Sequence, residues 1–429
     1  MSAVPQGPSV SASPPPPSTR RSLAFVYAGY LLRYAYLLVL IPFYGRVLGA
    51  DAYGRLLAAM SLYTLVWMLG EYGFPIAGAR DAAATTDRSR LAGLYGQHMA
   101  GRMLMIVPCL LLGLGGTLLS PLLREHPVMG LLATLNGVAA AFNLGWYFQG
   151  TLRFRVSVAL EVVGFAMNLP AILWLVKGPG DSWIVLAVLL ASGVLTTAAG
   201  HVIALGSMER TALRLHGAVA LVRGSTALFL HKGVSMMMAS SSTYILSLFA
   251  SAAQVGWYGA AERLASVGMS LMQPANHVLV GTVAKRIAES HSEASAYRLM
   301  RHSYFAMVGF GVVLMVGALV LAAPLVPVIL GPSFGPTVGM LYVLAFMFPF
   351  SAFGQVSSGY VLIPLRMDTL MSAVTLSGAL VTATLMLLGA QAYQGYGIAA
   401  ARLTGAILTA LVLVCVLQRK QLLKRIWNA

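Results

Sequence analysis

Residues 22–44 read SLAFVYAGYLLRYAYLLVLIPFY, residues 48–54 read LGADAYG, and residues 56–79 read LLAAMSLYTLVWMLGEYGFPIAGA. The two long runs are apolar, and each exceeds the ~20 residues that a helix needs to cross a ~30 Å hydrocarbon core. They predict a membrane-spanning helical hairpin with a short turn between its arms. One arm carries Arg33 and the other carries Glu71. Because a charge inside a membrane is costly, such residues usually mark a transport path.

The same apolar pattern recurs along the whole chain. Hydrophobic residues make up 58% of the sequence and charged residues only 9%, whereas about a quarter of an ordinary soluble domain is charged. We therefore predict an all-α polytopic membrane protein. Hydropathy places twelve transmembrane helices at about 22–44, 56–79, 99–119, 128–149, 156–177, 183–205, 225–249, 255–283, 303–328, 338–362, 369–390 and 395–417.

The twelve spans divide into two groups of six. We predict a disordered Pro/Ser-rich tail at 1–19, an N-terminal six-helix bundle at 20–210, and a C-terminal six-helix bundle with a basic cytoplasmic tail at 211–429. Six spans in each half permit a parallel duplication of one bundle. At an offset of 202 residues, Gly54 aligns with Gly256 and Ala50 with Ala252. Since the chain is rich in both residue types, the duplication rests mainly on topology.

Basic residues outside the spans are distributed unevenly. With a cytoplasmic N-terminus, nineteen of them fall on the inner side and four on the outer side. Because cytoplasmic loops carry an excess of Lys and Arg, this bias predicts that both termini are cytoplasmic. It also accounts for most of the formal net charge of +16, so the charge does not indicate nucleic-acid binding.

Several function classes find no support in the sequence. The predicted outer loops have only connector length, whereas membrane polymerases and ligases that act on lipid-linked sugars generally need an extramembrane loop or domain, so we expect no enzyme. No GxxxxGK[ST] motif is present, which argues against a self-contained ATP-driven pump. Cys109 and Cys415 lie in separate apolar runs and predict neither a zinc site nor a disulfide. We expect no metal and no cofactor.

The opening hairpin resembles a known family, the Wzx-type polysaccharide flippases of the multidrug/oligosaccharidyl-lipid/polysaccharide exporter superfamily. The residues that carry the resemblance are Arg33, Ile41-Pro42, Leu48-Gly49, Tyr53-Gly54, Gly70, Gly73 and Ala79-Arg80. The stretch VGWYGAAERL at 255–264 is similar to the family's opening of the second half. The resemblance covers the chain from about residue 20 onward.

The resemblance implies two six-helix bundles around a central cavity. It also implies movement of an undecaprenyl-pyrophosphate-linked oligosaccharide from the inner to the outer leaflet of a bacterial inner membrane, for O-antigen, capsule or exopolysaccharide synthesis. Its expected partners are the lipid-linked oligosaccharide, the bilayer, a polysaccharide polymerase and chain-length machinery.

Such a substrate needs cations for its pyrophosphate and hydrogen-bonding side chains for its sugars. The candidates for substrate binding are basic and amide residues within spans: Arg33, Lys232, Arg263, Arg402, Asn143, Gln273 and Gln355. At ~1.5 Å per residue, Arg33 lies about 16 Å inside its span, near the membrane midplane. Lys232 has an alternative role, since a lysine near a helix end extends its charge to the membrane surface. Arg102 is interpreted as an interfacial anchor.

Polar residues also recur at helical spacing. Asn136, Asn143 and Tyr147 are predicted to share one helix face. Several such stripes in both halves favour a wet cavity over interhelical hydrogen bonding alone. Glu71 and Glu262 are the candidates for ion coupling, since intramembrane carboxylates carry protons in transporters. For Glu71, an ion pair with Arg33 is the structural alternative.

Two other functions compete with flipping. A drug or small-cation exporter of the same superfamily is the first, and it requires a net acidic cavity. Basic residues within the predicted spans outnumber acidic ones, which favours an anionic substrate. A polysaccharide polymerase or ligase is the second, and it lacks the catalytic outer loop it would need.

Overall fold

The structure, a computed structural model, describes residues 19–208, 215–272 and 293–428. The helices of the first half are α1 (Thr19–Glu71), α2 (Phe74–Ala83), α3 (Arg88–Leu119), α4 (Pro121–Arg124), α5 (Pro127–Ala141), α6 (Gly145–Gly150), α7 (Phe154–Leu175) and α8 (Ser182–Leu205). Those of the second half are α9 (Leu215–Leu228), α10 (Val234–Ser240), α11 (Ser242–Ser247), α12 (Ala252–Ser270), α13 (Glu293–Leu330), α14 (Gly335–Ala345), α15 (Met347–Val356), α16 (Asp368–Arg419) and α17 (Leu422–Asn428). Eight helical segments in these ranges are long and apolar enough to cross a membrane. The chain is a multi-pass α-helical membrane protein.

The two longest helices each join two consecutive predicted spans: α16 contains both 369–390 and 395–417, whereas α1 contains 22–44 and ends at Glu71, within the span predicted at 56–79. In α1 the helical backbone is interrupted at Gly49, with φ 71° and ψ 177°. Glycine adopts this left-handed conformation without the steric cost that a Cβ brings. In α16 the interruption falls at Gln394, with φ 49° and ψ −126°. With these two kinks counted as turns, the described helices are consistent with the twelve predicted spans.

The span predicted at 225–249 is broken rather than continuous. It consists of α9, a π-helical turn at Phe229–Gly233, α10 and α11. Helix α9 packs against α2 and α3 of the first half, whereas α10 and α11 pack against α1 and α16. The segment therefore joins the two halves. The predicted boundary between bundles, at 210/211, lies outside the described residues and stays a prediction.

The two halves approach each other most closely where α1 meets α12. A side chain on Gly54 would overlap the backbone carbonyl of Ala252, and one on Gly256 would overlap that of Ala50. The contact is reciprocal, because the carbonyl group one helical turn before each glycine lies against the other glycine. These are the four residues that the 202-residue offset aligns. Two halves related by a two-fold axis are expected to make equivalent contacts in both directions, as these residues do.

One predicted polar stripe is wrong. Helix α5 ends at Ala141 and α6 begins at Gly145, so Asn136, Asn143 and Tyr147 do not share a continuous helix face. The Asn143 side-chain oxygen instead accepts a hydrogen bond from the Gly145 amide at 2.7 Å. Asparagine offers the backbone an alternative to the helical hydrogen bond, which explains the break. Asn136 donates to the Leu132 and Leu186 carbonyls and so holds α5 against α8.

Candidate functional site

A charged network in the second half joins Glu262 on α12 to Arg402 on α16. The Arg402 guanidinium donates to Glu262 Oε1. Ser242 Oγ donates to the same oxygen at 2.5 Å, and Thr243 Oγ1 donates to Glu262 Oε2 at 2.6 Å. The two charged side chains are only 19% and 22% exposed. Two predicted site residues are thus brought together, and the charge of Arg402 is balanced by Glu262.

The network includes the first two residues of α11, directly after the break between α10 and α11. Helix α10 ends at Ser240, and Ser241 donates its hydroxyl to the Met238 carbonyl at 2.8 Å. The next two residues, Ser242 and Thr243, then open α11 with their hydroxyls toward Glu262.

Arg263 follows Glu262 on α12 and points in a different direction, toward α1 of the first half. Its Nη2 atom lies 3.1 Å from the Met60 sulfur. Three tyrosines of α1, namely Tyr36, Tyr44 and Tyr53, lie within electrostatic range of its charge. Within the described residues no carboxylate pairs with it. Arg263 is therefore a partly buried cation at the interface between the halves that lacks a described counter-ion.

A second buried cation, Arg102, lies in the first half. We predicted an interfacial anchor, and this is wrong, because Arg102 on α3 is only 1% exposed. Its guanidinium carbon lies 5.9 Å from the Phe74 ring centre and 5.8 Å from that of Trp146. The His98 ring stacks on Trp146 at 4.2 Å. In the part of the chain that the structure describes, the three guanidinium nitrogens have no hydrogen-bond partner.

The Glu71 carboxylate lies within electrostatic range of Arg102, although the two side chains form no direct ion pair in the described residues. We expected Arg33 as the structural partner of Glu71, but the Arg33 side chain lies outside the described residues. The signal for the Arg102 cluster was present in the sequence, since His98 and Arg102 are four residues apart and share one face of α3.

Glu71 directly precedes a break in the helix. Tyr72 and Gly73 have positive φ angles, 43° and 77°, between the end of α1 and the start of α2. The Tyr72 ring stacks on Phe229, 4.4 Å between centres, and its hydroxyl lies 3.3 Å from Thr226 Oγ1. This break in the first half is therefore packed directly against the π-helical turn of the second half.

The remaining predicted residues are dispersed. Asn143 is exposed and lines a cleft between α6, α7 and α8. Gln355 is half-buried on α15. Gln273 lies outside the described residues, as do the side chains of Arg33 and Lys232. Of the predicted site, the structure thus assembles Glu262 and Arg402, with Arg263 beside them.

The comparisons with known proteins bear on this arrangement. The family model described as polysaccharide biosynthesis protein matches residues 20–285, more than half of the chain. The chain belongs to this family. Its resemblance to polysaccharide flippases is confirmed. A Shigella dysenteriae protein whose name assigns it as an O-antigen transporter is 18% identical over 370 residues, which cover 84% of this chain and 90% of the relative.

Two solved structures show the same fold. The lipid II flippase MurJ, in an inward closed conformation, has a TM-score of 0.72 and 12% identity, with 95% of this chain and 90% of that chain covered. An inward-facing multidrug resistance MATE transporter of the MOP superfamily has a TM-score of 0.64 and 13% identity, with 91% and 96% covered. The fold expected from the resemblance is confirmed, and the chain is a multi-pass membrane protein of the polysaccharide biosynthesis family.

Proposed function

We propose that this protein moves an undecaprenyl-pyrophosphate-linked oligosaccharide from the inner to the outer leaflet of a bacterial inner membrane by alternating access. Membership in the polysaccharide biosynthesis family supports a glycan as the transported group. Arg263 supports an anionic linkage in the substrate, and the position of this residue is the observation that carries the proposal. The same proposal places both termini in the cytoplasm and assigns no chemical step to the protein.

The electrostatics of the interface favour an anion. A guanidinium in a membrane-spanning region is costly unless something carries a compensating charge. Arg402 has Glu262 for this purpose, whereas the described contact of Arg263 is the Met60 thioether, which is only a weak acceptor. A pyrophosphate offers several charged oxygens, and guanidinium groups bind phosphate oxygens in a bidentate manner.

The position of Arg263 suits a substrate that passes between the halves. Its helix, α12, belongs to the second half, and the side chain reaches α1 of the first half. A ligand held here touches both halves, so its binding energy differs between arrangements of the halves, as a transported substrate requires. Arg33, Lys232, Gln273 and Gln355 are proposed as further substrate contacts on sequence grounds.

Export of a drug or small cation is the competing proposal, and the MATE fold fits it equally well. A cation exporter needs a carboxylate that is ready to accept the cation. Glu262 is already engaged by Arg402, Ser242 and Thr243, which weighs against this function at the α12 site. We propose Glu71 as the ion-coupling group, and coupling through Glu262 stays a prediction.

Reconstitution in vesicles tests the proposal. Vesicles loaded with a fluorescent pyrophosphate-linked oligosaccharide lipid are treated with an impermeant quencher, and the rate at which shielded lipid becomes accessible is measured. Arg263→Ala is expected to lower this rate ~10- to 100-fold, because it removes one charge-assisted hydrogen bond to the substrate, worth about 1.5–3 kcal/mol. Arg155→Ala, which removes an exposed arginine of α7, is the matched control.

Three outcomes decide the test. Flipping that depends on Arg263 but not Arg155 supports the proposal. Normal flipping in Arg263→Ala removes this residue from the mechanism. Transport of a cationic dye without any movement of the lipid selects the exporter instead.

A further inference from the structure

A polar cleft of about 390 Å³ lies in the first half, between α6, α7 and α8. Its volume falls within the ~300–1,000 Å³ range of small-molecule sites. Its polar lining residues are Asn143, Ser157, Glu161, Asn168, Thr196 and Thr197. The hydroxyl, amide and carboxyl groups of these side chains are unusual neighbours inside a membrane-spanning bundle, so the cleft requires an explanation.

Some of these groups are satisfied within the protein. Asn168 Oδ1 accepts a hydrogen bond from Ser192 at 2.5 Å, and Thr196 donates to the Ser192 carbonyl at 2.8 Å. For Ser157 and Thr197, no described residue supplies a hydrogen-bond partner to the hydroxyl. Polar groups without partners do not face hydrocarbon, because each costs several kcal/mol there. The cleft therefore holds water or a polar ligand.

An aromatic contact links the wall of the cleft to the surroundings of Arg263, the cation that we assign to the pyrophosphate. Phe165 is part of its wall. The ring of Tyr36 on α1 stacks on Phe165, with 4.6 Å between ring centres. Tyr36 also lies within electrostatic range of Arg263. One aromatic pair thus separates the Arg263 environment from the cleft.

We propose that this cleft is a subsite for a sugar of the transported glycan, one beyond the sugar attached to the pyrophosphate. The inference rests on the proposed function and adds to it a binding site for the part of the oligosaccharide that lies away from the pyrophosphate. Sugar hydroxyls both donate and accept hydrogen bonds, so they match a lining of hydroxyl, amide and carboxyl groups. At ~30 Å³ per water, the cleft has the volume of roughly a dozen water molecules, enough for a sugar ring with part of its hydration.

Variants of the lining test the subsite. Thr197→Val and Ser157→Ala each remove one hydroxyl with little change of shape. Gly164→Leu fills the cleft, and its Cβ fits because the nearest atom, on Thr196, is 3.6 Å away. Thr384→Val is the matched control, since Thr384 is exposed on α16 and its hydroxyl bonds only its own helix, at the Leu380 carbonyl.

The measurement compares two substrates in the vesicle assay. One is the pyrophosphate-linked oligosaccharide lipid, and the other is the same lipid with a single sugar. We expect Thr197→Val and Ser157→Ala to flip the oligosaccharide lipid about tenfold more slowly, because each loses a hydrogen bond worth about 1.4 kcal/mol. Gly164→Leu is expected to slow it at least as much, because it occupies the space of the sugar. All three are expected to flip the single-sugar lipid at the wild-type rate. Arg263→Ala is expected to slow both.

Each other result has a clear consequence. Wild-type rates on both lipids in all three cleft variants overturn the subsite and leave the proposed function intact. Equal losses on both lipids also overturn it, because they indicate damage to the bundle. Failure of the wild-type protein to move either lipid overturns the proposed function, and the subsite with it.

Discussion

Gly54 on α1 and Gly256 on α12 each face a backbone carbonyl of the opposite half, Gly54 that of Ala252 and Gly256 that of Ala50. No side chain larger than hydrogen fits at either position without moving the two helices apart. Because the contact lies on the predicted outer side, these glycines set how closely the halves meet there. A transporter that alternates its access must form and break such a contact.

Gly54→Val and Gly256→Val are therefore expected to hold the halves apart and to slow flipping. Spin labels on Asp51→Cys and Ser251→Cys, two exposed positions beside the contact, measure the separation in a chain whose Cys109 and Cys415 are replaced. The distance between labels is expected to lengthen in both variants. Gly115→Val is the control, since nothing lies within 4 Å of a Cβ there. An unchanged distance would contradict the role of the two glycines.

Hydropathy was sufficient to predict the architecture of the chain. Transmembrane helices are long, and lipid forces each to satisfy its own backbone hydrogen bonds, so an apolar run alone marks the element. The glycine pairing was visible as an alignment of Gly54 with Gly256. The break of the seventh span was not, because a π-helical turn at Phe229–Gly233 leaves no mark in an apolar sequence.

The candidate site was only partly predictable. The sequence placed Glu262, Arg263 and Arg402 inside spans, because the position of a residue within a span depends only on the hydropathy of its neighbours in the chain. It did not pair Glu262 with Arg402, since they are 140 residues apart and pairing depends on how α12 and α16 pack. The same reason explains the error at Arg102, whose burial is produced by aromatic rings from α2 and α6.

The Glu262–Arg402 pair gives a prediction about stability. Arg402→Met is expected to lower the melting temperature in detergent, because it leaves a mostly buried carboxylate without its cation, at a cost of about 3 kcal/mol. Glu262→Gln combined with Arg402→Met removes both charges and is expected to recover most of the loss. Additive losses in the double variant would show that the two side chains do not act as a pair.

Arg102 gives the opposite prediction, a gain in stability with a loss of function. A buried guanidinium without hydrogen-bond partners is destabilising, and replacing a buried charge pair by apolar or neutral groups often stabilises a protein by about 1–4 kcal/mol. Glu71→Gln combined with Arg102→Met is therefore expected to melt at a higher temperature than the wild type and to flip lipid more slowly. A double variant that flips at the wild-type rate would make the charges dispensable for transport.

Ion coupling through Glu71 can be tested separately. Glu71→Gln keeps the size of the side chain and removes its capacity to carry a proton. We expect flipping by this variant to be insensitive to proton or sodium gradients imposed across the vesicle membrane, whereas the wild type responds to one of them. Glu125→Gln changes an exposed carboxylate and is expected to respond like the wild type. A Glu71→Gln variant that keeps its gradient response would exclude this residue as the coupling group.

The orientation of the chain follows from the uneven distribution of its basic residues. Asp51, in the kink region of α1, is predicted to lie outside, and Thr86, between α2 and α3, is predicted to lie inside. Both are exposed, so a cysteine at either position is open to reagents on its own side. In a chain without Cys109 and Cys415, an impermeant maleimide added to spheroplasts is expected to label Asp51→Cys at once and Thr86→Cys only after permeabilisation. Because an even number of spans places both termini on the side of Thr86, the reverse pattern would move both termini to the outer side and contradict the charge argument.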